Sequence, residues 1–180
     1  MPKKHKNEPD SELGSQLTAH EVLLAEAPGV EAMEKLFQRL DGILFCIKDR
    51  EGCYLSANDA FLRRARVENP CDLIGRTAKE FFPPLLAAGY EQQDAGVTSR
   101  GEETRDRLEM ITNSDGGVGW YLSDKIPIRN RERNVIGIAG VSRDLRSSVD
   151  NDPRYAKLAS VIEYMRTHYD EPLRIGELVA

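Results

Sequence analysis

Residues 113–145 read NSDGGVGWYLSDKIPIRNRERNVIGIAGVSRDL and predict two β-strands joined by a polar turn. Val118–Ile128 and Val135–Val141 are rich in β-branched and aromatic residues, which favour an extended backbone. Arg129–Asn134, between them, is wholly polar, as expected of a solvated hairpin connection. The stretch shows no reacting group, so it indicates a sheet used for sensing or recognition rather than for turnover.

Three further strands and several short helices are predicted before this hairpin. Strand patterns at Ile43–Lys48 and Cys53–Ala57 flank a turn, and Asn58 or Asp59 is placed to cap a short helix. A longer helix is predicted at Leu85–Ser99, followed by a strand at Thr104–Thr112. This order predicts an α+β fold, a five-stranded antiparallel sheet with short helices on one face.

Both flanks of the predicted sheet domain carry helical patterns. Residues 1–17 are polar and expected to be disordered, and residues 18–41 are predicted to form N-terminal flanking helices. The second of these carries an apolar stripe formed by Val30, Met33, Phe37 and Leu40. The stripe has two interpretations: packing on the sheet, or serving as a dimer seam or signalling helix.

Composition restricts the class of protein. The chain has 180 residues, of which 40% are hydrophobic and 31% charged, and no apolar run is long enough to span a membrane. A cytoplasmic location is expected, with Cys46, Cys53 and Cys71 as reduced thiols. Residues 42–146 hold sixteen basic and sixteen acidic side chains, so this piece is not expected to grip DNA by itself.

Three blocks of this sequence resemble a PAS domain. FCIKDREGCYLSANDAF (45–61) resembles its opening strand pair and first helix, and DLIGRTAKEFFPP (72–84) resembles the following loop and short helices. Residues 115–145 resemble its closing hairpin and last strand, which end in an Arg-Asp-Leu exit. The resemblance implies a PAS sensor domain over residues 42–146, flanked by N-terminal and C-terminal helices.

A second resemblance lies beyond the sheet domain. Asp152-Pro153 predicts a helix start, and VIEYMRTHYDEPLRIGELVA (161–180) resembles the first helix of an AraC-family helix-turn-helix domain. It implies that residues 150–180 form a linker helix and the incomplete beginning of that DNA-binding domain. The alternative is a signalling helix that leads to another output, such as a kinase.

Catalysis and cofactors are not predicted. No acid–base pair or activated serine is recognisable, and most charges are interpreted as solvated surface. His5, His20 and His168 lie outside the predicted sheet domain, so no metal site is expected. The resemblance disfavours flavin, because residues 75–78 (GRTA) lack the reactive cysteine, and disfavours haem, because residues 85–99 lack a histidine. A cysteine ligand to haem, Cys46 or Cys53, stays open.

A small organic ligand remains possible, and the family would hold it between sheet and helices. Tyr121 and Ser123 share one strand face, which either meets the ligand or faces solvent while Trp120 and Leu122 pack inward. All the candidates also have an ordinary interpretation as core residues. The candidate pocket residues are Phe45, Ser56, Phe61, Phe82, Leu86, Met110, Tyr121, Ser123 and Ile138.

The resemblances imply a sensor that relays small-molecule or partner binding to a DNA-binding output. Asp144, at the end of the last strand, is the expected signal exit toward the helix over 153–169. A homodimer through the flanking helices is expected, with no membrane contact, and DNA binding only through the full-length C-terminal domain. The alternatives are a ligand-free dimerisation module and the sensor portion of a signalling kinase.

Overall fold

The computed structural model of the chain describes residues 19–112, 117–145 and 154–168. Its centre is a five-stranded sheet in the order β2-β1-β5-β4-β3, with every neighbouring pair antiparallel. The predicted α+β fold and antiparallel sheet are confirmed. The strands are β1 (Ile43–Asp49), β2 (Tyr54–Ala57), β3 (Thr104–Thr112), β4 (Val118–Arg129) and β5 (Val135–Asp144).

The helices begin and end at residues suited to those positions. The side chain of Asn58 accepts a hydrogen bond from the backbone N–H of Phe61 and caps α3, as predicted. Pro84 is the first residue of α4, and Gly101, with a φ of 66°, ends it in the left-handed region. The helices are α1 (residues 19–26), α2 (Gly29–Phe37), α3 (Asp59–Ala65), α4 (Pro84–Arg100) and α5 (Arg154–Thr167), with 3₁₀ turns at Pro70–Asp72 and Ala78–Glu80.

Both faces of the sheet are covered around β1. Phe45 and Ile47 pack with Leu23 of α1 and Val30 of α2 on one face. On the other face, Leu44 joins a core that includes residues of α3, the 3₁₀ turns and α4. Side chains alternate between the faces of a strand, so β1 contributes to two separate cores. The packing interpretation of the predicted apolar stripe therefore holds for Val30, which is buried here.

The turn between β1 and β2 is held by one carboxylate. Asp49 Oδ1 accepts hydrogen bonds from the backbone N–H groups of Glu51 (3.0 Å) and Cys53 (2.8 Å). Gly52 has a φ of +87°, which a side chain would make unfavourable. This geometry fixes the direction of the hairpin and so aims Tyr54 into the core formed with α3.

Several predictions lie outside the described residues. These are the disordered segment 1–17, the helix start at Asp152-Pro153 and the AraC-like segment beyond residue 168. Within the described ranges, no helix is both long enough and apolar enough to cross a membrane.

Candidate functional site

A small cavity of about 60 Å³ lies between the sheet and the helices α3 and α4. Its wall is mostly apolar and aromatic, with charged residues from both the sheet and the helices. The lining includes Leu44, Cys46, Tyr54, Phe61, Phe82, Tyr90, Ile111, Ile138, Gly140, Val141 and Ser142, together with Lys48, Arg64, Asp94, Glu109, Asp124 and Lys125. An apolar chamber with a few polar groups is the usual form of a small-molecule site.

A buried cluster of three charges ties α4 to the sheet at this cavity. Asp94 of α4 accepts a hydrogen bond from Lys48 Nζ of β1 at 2.6 Å and another from Lys125 Nζ of β4 at 2.7 Å. The side chain of Lys48 is only 6% exposed, and that of Asp94 only 5%. Both carboxylate oxygens are therefore used, and α4 cannot leave the sheet without separating buried opposite charges.

The electrostatics of the cluster keep Asp94 and Lys48 charged near neutral pH. Burial by itself would raise the pKa of Asp94, but the two lysine ammonium groups hold this pKa below its ordinary value. Burial opposes the charge of Lys48, yet Tyr54 and Asp94 outweigh it and raise the pKa of Lys48. The Lys48 ammonium also lies over the ring of Tyr54, 4.5 Å from its centre.

The sequence pattern did not reveal this cluster: Lys48, Asp94 and Lys125 are exceptions to the interpretation of most charges as solvated surface. A buried carboxylate such as Asp94 is stable in a core when two lysines pair with it. The spacing of residues along the chain does not reveal such partners. One signal was present: Lys48 follows directly after the apolar run Ile43–Ile47. It falls on the strand face that carries Leu44 and Cys46. Asp94, within a polar helix, offered no comparable signal.

Two other polar contacts join the helices to the sheet beside the cavity. The guanidinium of Arg64 on α3 donates to the hydroxyl of Tyr121 on β4 and lies over its ring. The hydroxyl of Tyr90 on α4 donates to the backbone carbonyl of Met110 at 2.5 Å. Burial raises the pKa of this hydroxyl, with Glu109 adding to the effect, so it remains a donor at neutral pH.

Three of the nine predicted pocket residues line the cavity: Phe61, Phe82 and Ile138. Phe61 and Phe82 meet edge to face, with ring centres 6.2 Å apart, so their positions depend on each other. The other six predicted residues do not line it, and these are Phe45, Ser56, Leu86, Met110, Tyr121 and Ser123.

Strand alternation explains two of these six. Phe45 points to the opposite face of β1, where its ring stacks on Phe37 with centres 4.7 Å apart. Met110 is 40% exposed, because β3 turns Glu109 and Ile111 toward the cavity instead. Ser56 and Leu86 are only half-buried, on β2 and α4.

Tyr121 and Ser123 face inward rather than to solvent, and each is fully buried. Their polar atoms are already used within the protein. Tyr121 accepts from Arg64, and the hydroxyl of Ser123 is 2.7 Å from that of Ser142. A hydroxyl pair does exist on this face, but its second member is Ser142 of β5, which lines the cavity.

Cys46 and Cys53 are the two cysteines that the sequence leaves open as haem ligands. Burial raises the pKa of the Cys46 thiol to about 11, so it is protonated at neutral pH and would have to lose this proton before binding a metal. Cys53 is half-buried in the turn before β2 and does not line the cavity. Within the parts of the chain that the structure describes, no three His, Cys, Asp or Glu residues are grouped as metal ligands.

The expected signal exit, Asp144, is the last residue of β5 and pairs in register with Tyr121. Tyr121 contacts Arg64, whose side chain lines the cavity. Asp144 is thus two contacts from the cavity wall.

Comparison with known proteins gives the same fold. The sequence matches the family model of the PAS fold over residues 37–150. The PAS domain of BvgS from Bordetella pertussis superposes with a TM-score of 0.56 at 22% identity, covering 73% of this chain and 98% of that one. This likeness shows the fold alone. No curated protein sequence matches the chain.

A second solved protein is more similar in sequence. A VqmA dimer from Vibrio cholerae, described with LuxR-type receptors, matches at 27% identity and a TM-score of 0.55, over 64% of this chain and 50% of that one. VqmA bound to DPO matches at 28% identity and the same TM-score, over 65% and 58%. The chain thus spans little more than half the length of the VqmA chains that it matches.

The family match covers all five strands and the helices that enclose the cavity. The solved structures reproduce the same arrangement of sheet and helices. The chain therefore belongs to the PAS-fold family.

Proposed function

We propose that this PAS domain is the sensory part of a DNA-binding transcription regulator and has no catalytic activity of its own. A small molecule that enters the cavity between sheet and helices is the signal. The cavity carries this proposal, because it combines an apolar chamber with buried charged groups from β1, β4 and α4. Those elements border β5, the strand that leads toward α5.

The DNA-binding output is supported by two separate similarities. VqmA from Vibrio cholerae has been solved as a complex with ligand and DNA, at 28% identity to this chain. The sequence 161–180 resembles the start of an AraC-type helix-turn-helix domain. We therefore propose a DNA-binding output of AraC type whose beginning lies within residues 150–180, in a protein that acts on DNA in the cytoplasm.

Dimerisation through the flanking helices is part of the proposal. Val22 of α1 is 51% exposed and Leu36 of α2 is 69% exposed, although both helices pack on the sheet through other residues. Exposed apolar side chains on such helices favour contact with a second copy. VqmA, the relative discussed above, forms a dimer.

Filling the cavity should abolish the response to the signal. A Cβ added at Gly140 would lie 3.7 Å from Cys46 Sγ and 4.0 Å from two atoms of β4, so the strand tolerates a side chain there. We expect Gly140→Val to remove more than nine-tenths of the signal-dependent change in a transcription reporter driven by the full-length protein. Mass spectrometry of small molecules released from the purified protein should lose the bound compound.

Gly140→Ala is the matched control, because its single methyl group leaves most of the cavity open. It should retain both the bound compound and the reporter response. Retention of the compound by a folded Gly140→Val protein would contradict the proposal.

Asp144 is proposed to carry the signal out of the domain. A ligand changes the output only by binding two states of the protein unequally, and Asp144 lies in the chain between the cavity-lining residues of β5 and α5. We expect Asp144→Ala to leave ligand affinity within about twofold, while the transcriptional response falls at least fivefold. An unaltered response in the full-length mutant would count against this route.

A ligand-free dimerisation module is the second candidate function, favoured by the exposed side chains of α1 and α2. It makes a different prediction for the same variant. If dimerisation alone is the task, Gly140→Val should leave the reporter output unchanged, and the wild-type protein should release no compound.

A further inference from the structure

Glu109 presents an unused hydrogen-bond acceptor at the cavity. This residue of β3 is only 7% exposed and lines the cavity beside Ile111. Its Oε1 atom is buried and has no hydrogen-bond partner in the described part of the chain. An unpaired buried acceptor destabilises a fold, and buried polar atoms are nearly always paired. A ligand that supplies a donor would remove this cost.

The charged side chains on the cavity face disfavour an ionic ligand. Three are cationic and two are acidic: Lys48, Arg64, Lys125, Asp94 and Glu109. The carboxylate of Asp124 lies on the opposite face of β4, where Arg143 donates to it at 3.3 Å. A cation would be repelled by the excess of positive charge, and an anion placed against Glu109 would be repelled by that carboxylate. An uncharged molecule avoids both repulsions.

The size and walls of the cavity restrict the molecule further. Its volume of about 60 Å³ is well below the ~150 Å³ of a cavity that holds benzene. The rings of Tyr54, Phe61 and Phe82 form part of its wall. A flat ring smaller than benzene suits this space and can pack against aromatic side chains.

We infer that the cavity recognises a small, flat, uncharged molecule that donates an N–H or O–H hydrogen bond to Glu109. Glu109 is then the residue that determines specificity for a donor. This inference rests on the ligand-sensing function proposed above and names the chemical class of the signal.

Pyrazole and 1-methylpyrazole provide a matched pair of probes, because methylation blocks the only N–H donor and leaves the ring uncharged. Propionate and propylammonium are ionic probes of similar size. In NMR titrations of the 180-residue protein, pyrazole should bind at least tenfold more tightly than each of the other three. Amide signals of Ile111 and Ile138 should shift, while Ile128, on the opposite face of the sheet, should not.

Two variants assign the effect to Glu109. Glu109→Leu should reduce pyrazole affinity at least tenfold and keep or raise the melting temperature, because it removes an unpaired buried carboxyl group. A purely structural role would instead lower the melting temperature. Glu91→Leu is the matched control: this half-buried carboxyl of α4 does not line the cavity, so pyrazole affinity should persist.

Equal binding of 1-methylpyrazole, tighter binding of either ion, or unchanged pyrazole affinity in Glu109→Leu would overturn the inference and leave ligand sensing intact. If none of the four probes shifts Ile111 or Ile138, the inference fails, whereas the ligand-sensing function is decided separately by the compound that the wild-type protein releases.

Discussion

Replacing Asp94 with alanine is expected to lower the free energy of unfolding by about 3–5 kcal/mol at neutral pH. The carboxylate is ion-paired with both Lys48 and Lys125, at 2.6 and 2.7 Å, and all three groups are largely shielded from water. Its loss leaves two buried ammonium groups without a counter-charge. Urea denaturation followed by circular dichroism measures the difference.

Two control variants separate burial from charge. Glu31→Ala breaks an exposed helical ion pair with Lys35 and should change stability little, because solvent screens that pair. The triple variant Lys48→Met, Asp94→Leu, Lys125→Met replaces the cluster by apolar side chains and should be close to wild type in stability. Wild-type stability in Asp94→Ala would show that water reaches the two lysines.

The stability difference between wild type and Asp94→Ala should depend on pH in a defined direction. The pKa of Asp94 is lowered in the folded state, so its contribution is present above the unfolded pKa of about 3.9 and is lost as pH falls through the folded value. The pKa of Lys48 is raised, so its contribution is present below about 10.4 and is lost only at higher pH. The difference should therefore be constant between about pH 5 and 9 and shrink in strong acid.

Asn58→Ala is expected to destabilise the domain by about 3 kcal/mol or more, since it combines the loss of a helix cap with several unpaired buried groups. Asn58 is completely buried. Its Oδ1 accepts from the N–H groups of Phe45 (3.1 Å) and Phe61 (3.0 Å). Its Nδ2 donates to the carbonyls of Phe37 (3.0 Å) and Ile43 (2.8 Å). One side chain thus joins α2, β1 and α3, and thermal unfolding would report its loss.

Asn69→Ala is the matched control, because Asn69 also accepts a hydrogen bond from a turn, from Cys71 N–H at 3.0 Å, but is exposed. It should cost about 0.5–1 kcal/mol. Asn58→Asp keeps the accepting oxygen but sets a second oxygen against the two carbonyls, so it should remain strongly destabilised. If Asn58→Asp were as stable as wild type, capping alone would explain the role of this residue.

The strands and their succession along the chain could be predicted, because each strand depends on the residue types within it. Period-2 runs of β-branched residues mark β4 and β5, and a polar connection separates them. The Asp49–Gly52 turn and the Asn58 cap are likewise local, since each side chain bonds to a backbone N–H two to four residues away. A prediction made from neighbours along the chain is sufficient for such features.

The charged cluster at the cavity could not be predicted, because it depends on contacts between residues that are far apart in the chain. Lys48 and Asp94 are 46 positions apart, and Lys125 is 31 positions beyond Asp94. Sequence pattern does not show which charged side chains meet oppositely charged partners inside the core, so this cluster was not predicted. Alternation also left open which face of β4 is inward, and only the packing of α3 and α4 decided it for Tyr121 and Ser123.

The sequence by itself therefore determined the strands, the hairpin turns and the helix caps, because backbone preferences and short-range hydrogen bonds act within a few residues. The PAS fold followed from the resemblance of three sequence blocks. Tertiary structure alone decided which side chains surround the cavity. Burial and charge pairing arise when separate elements pack together, and this brought Lys48, Asp94, Glu109 and Lys125 to one chamber.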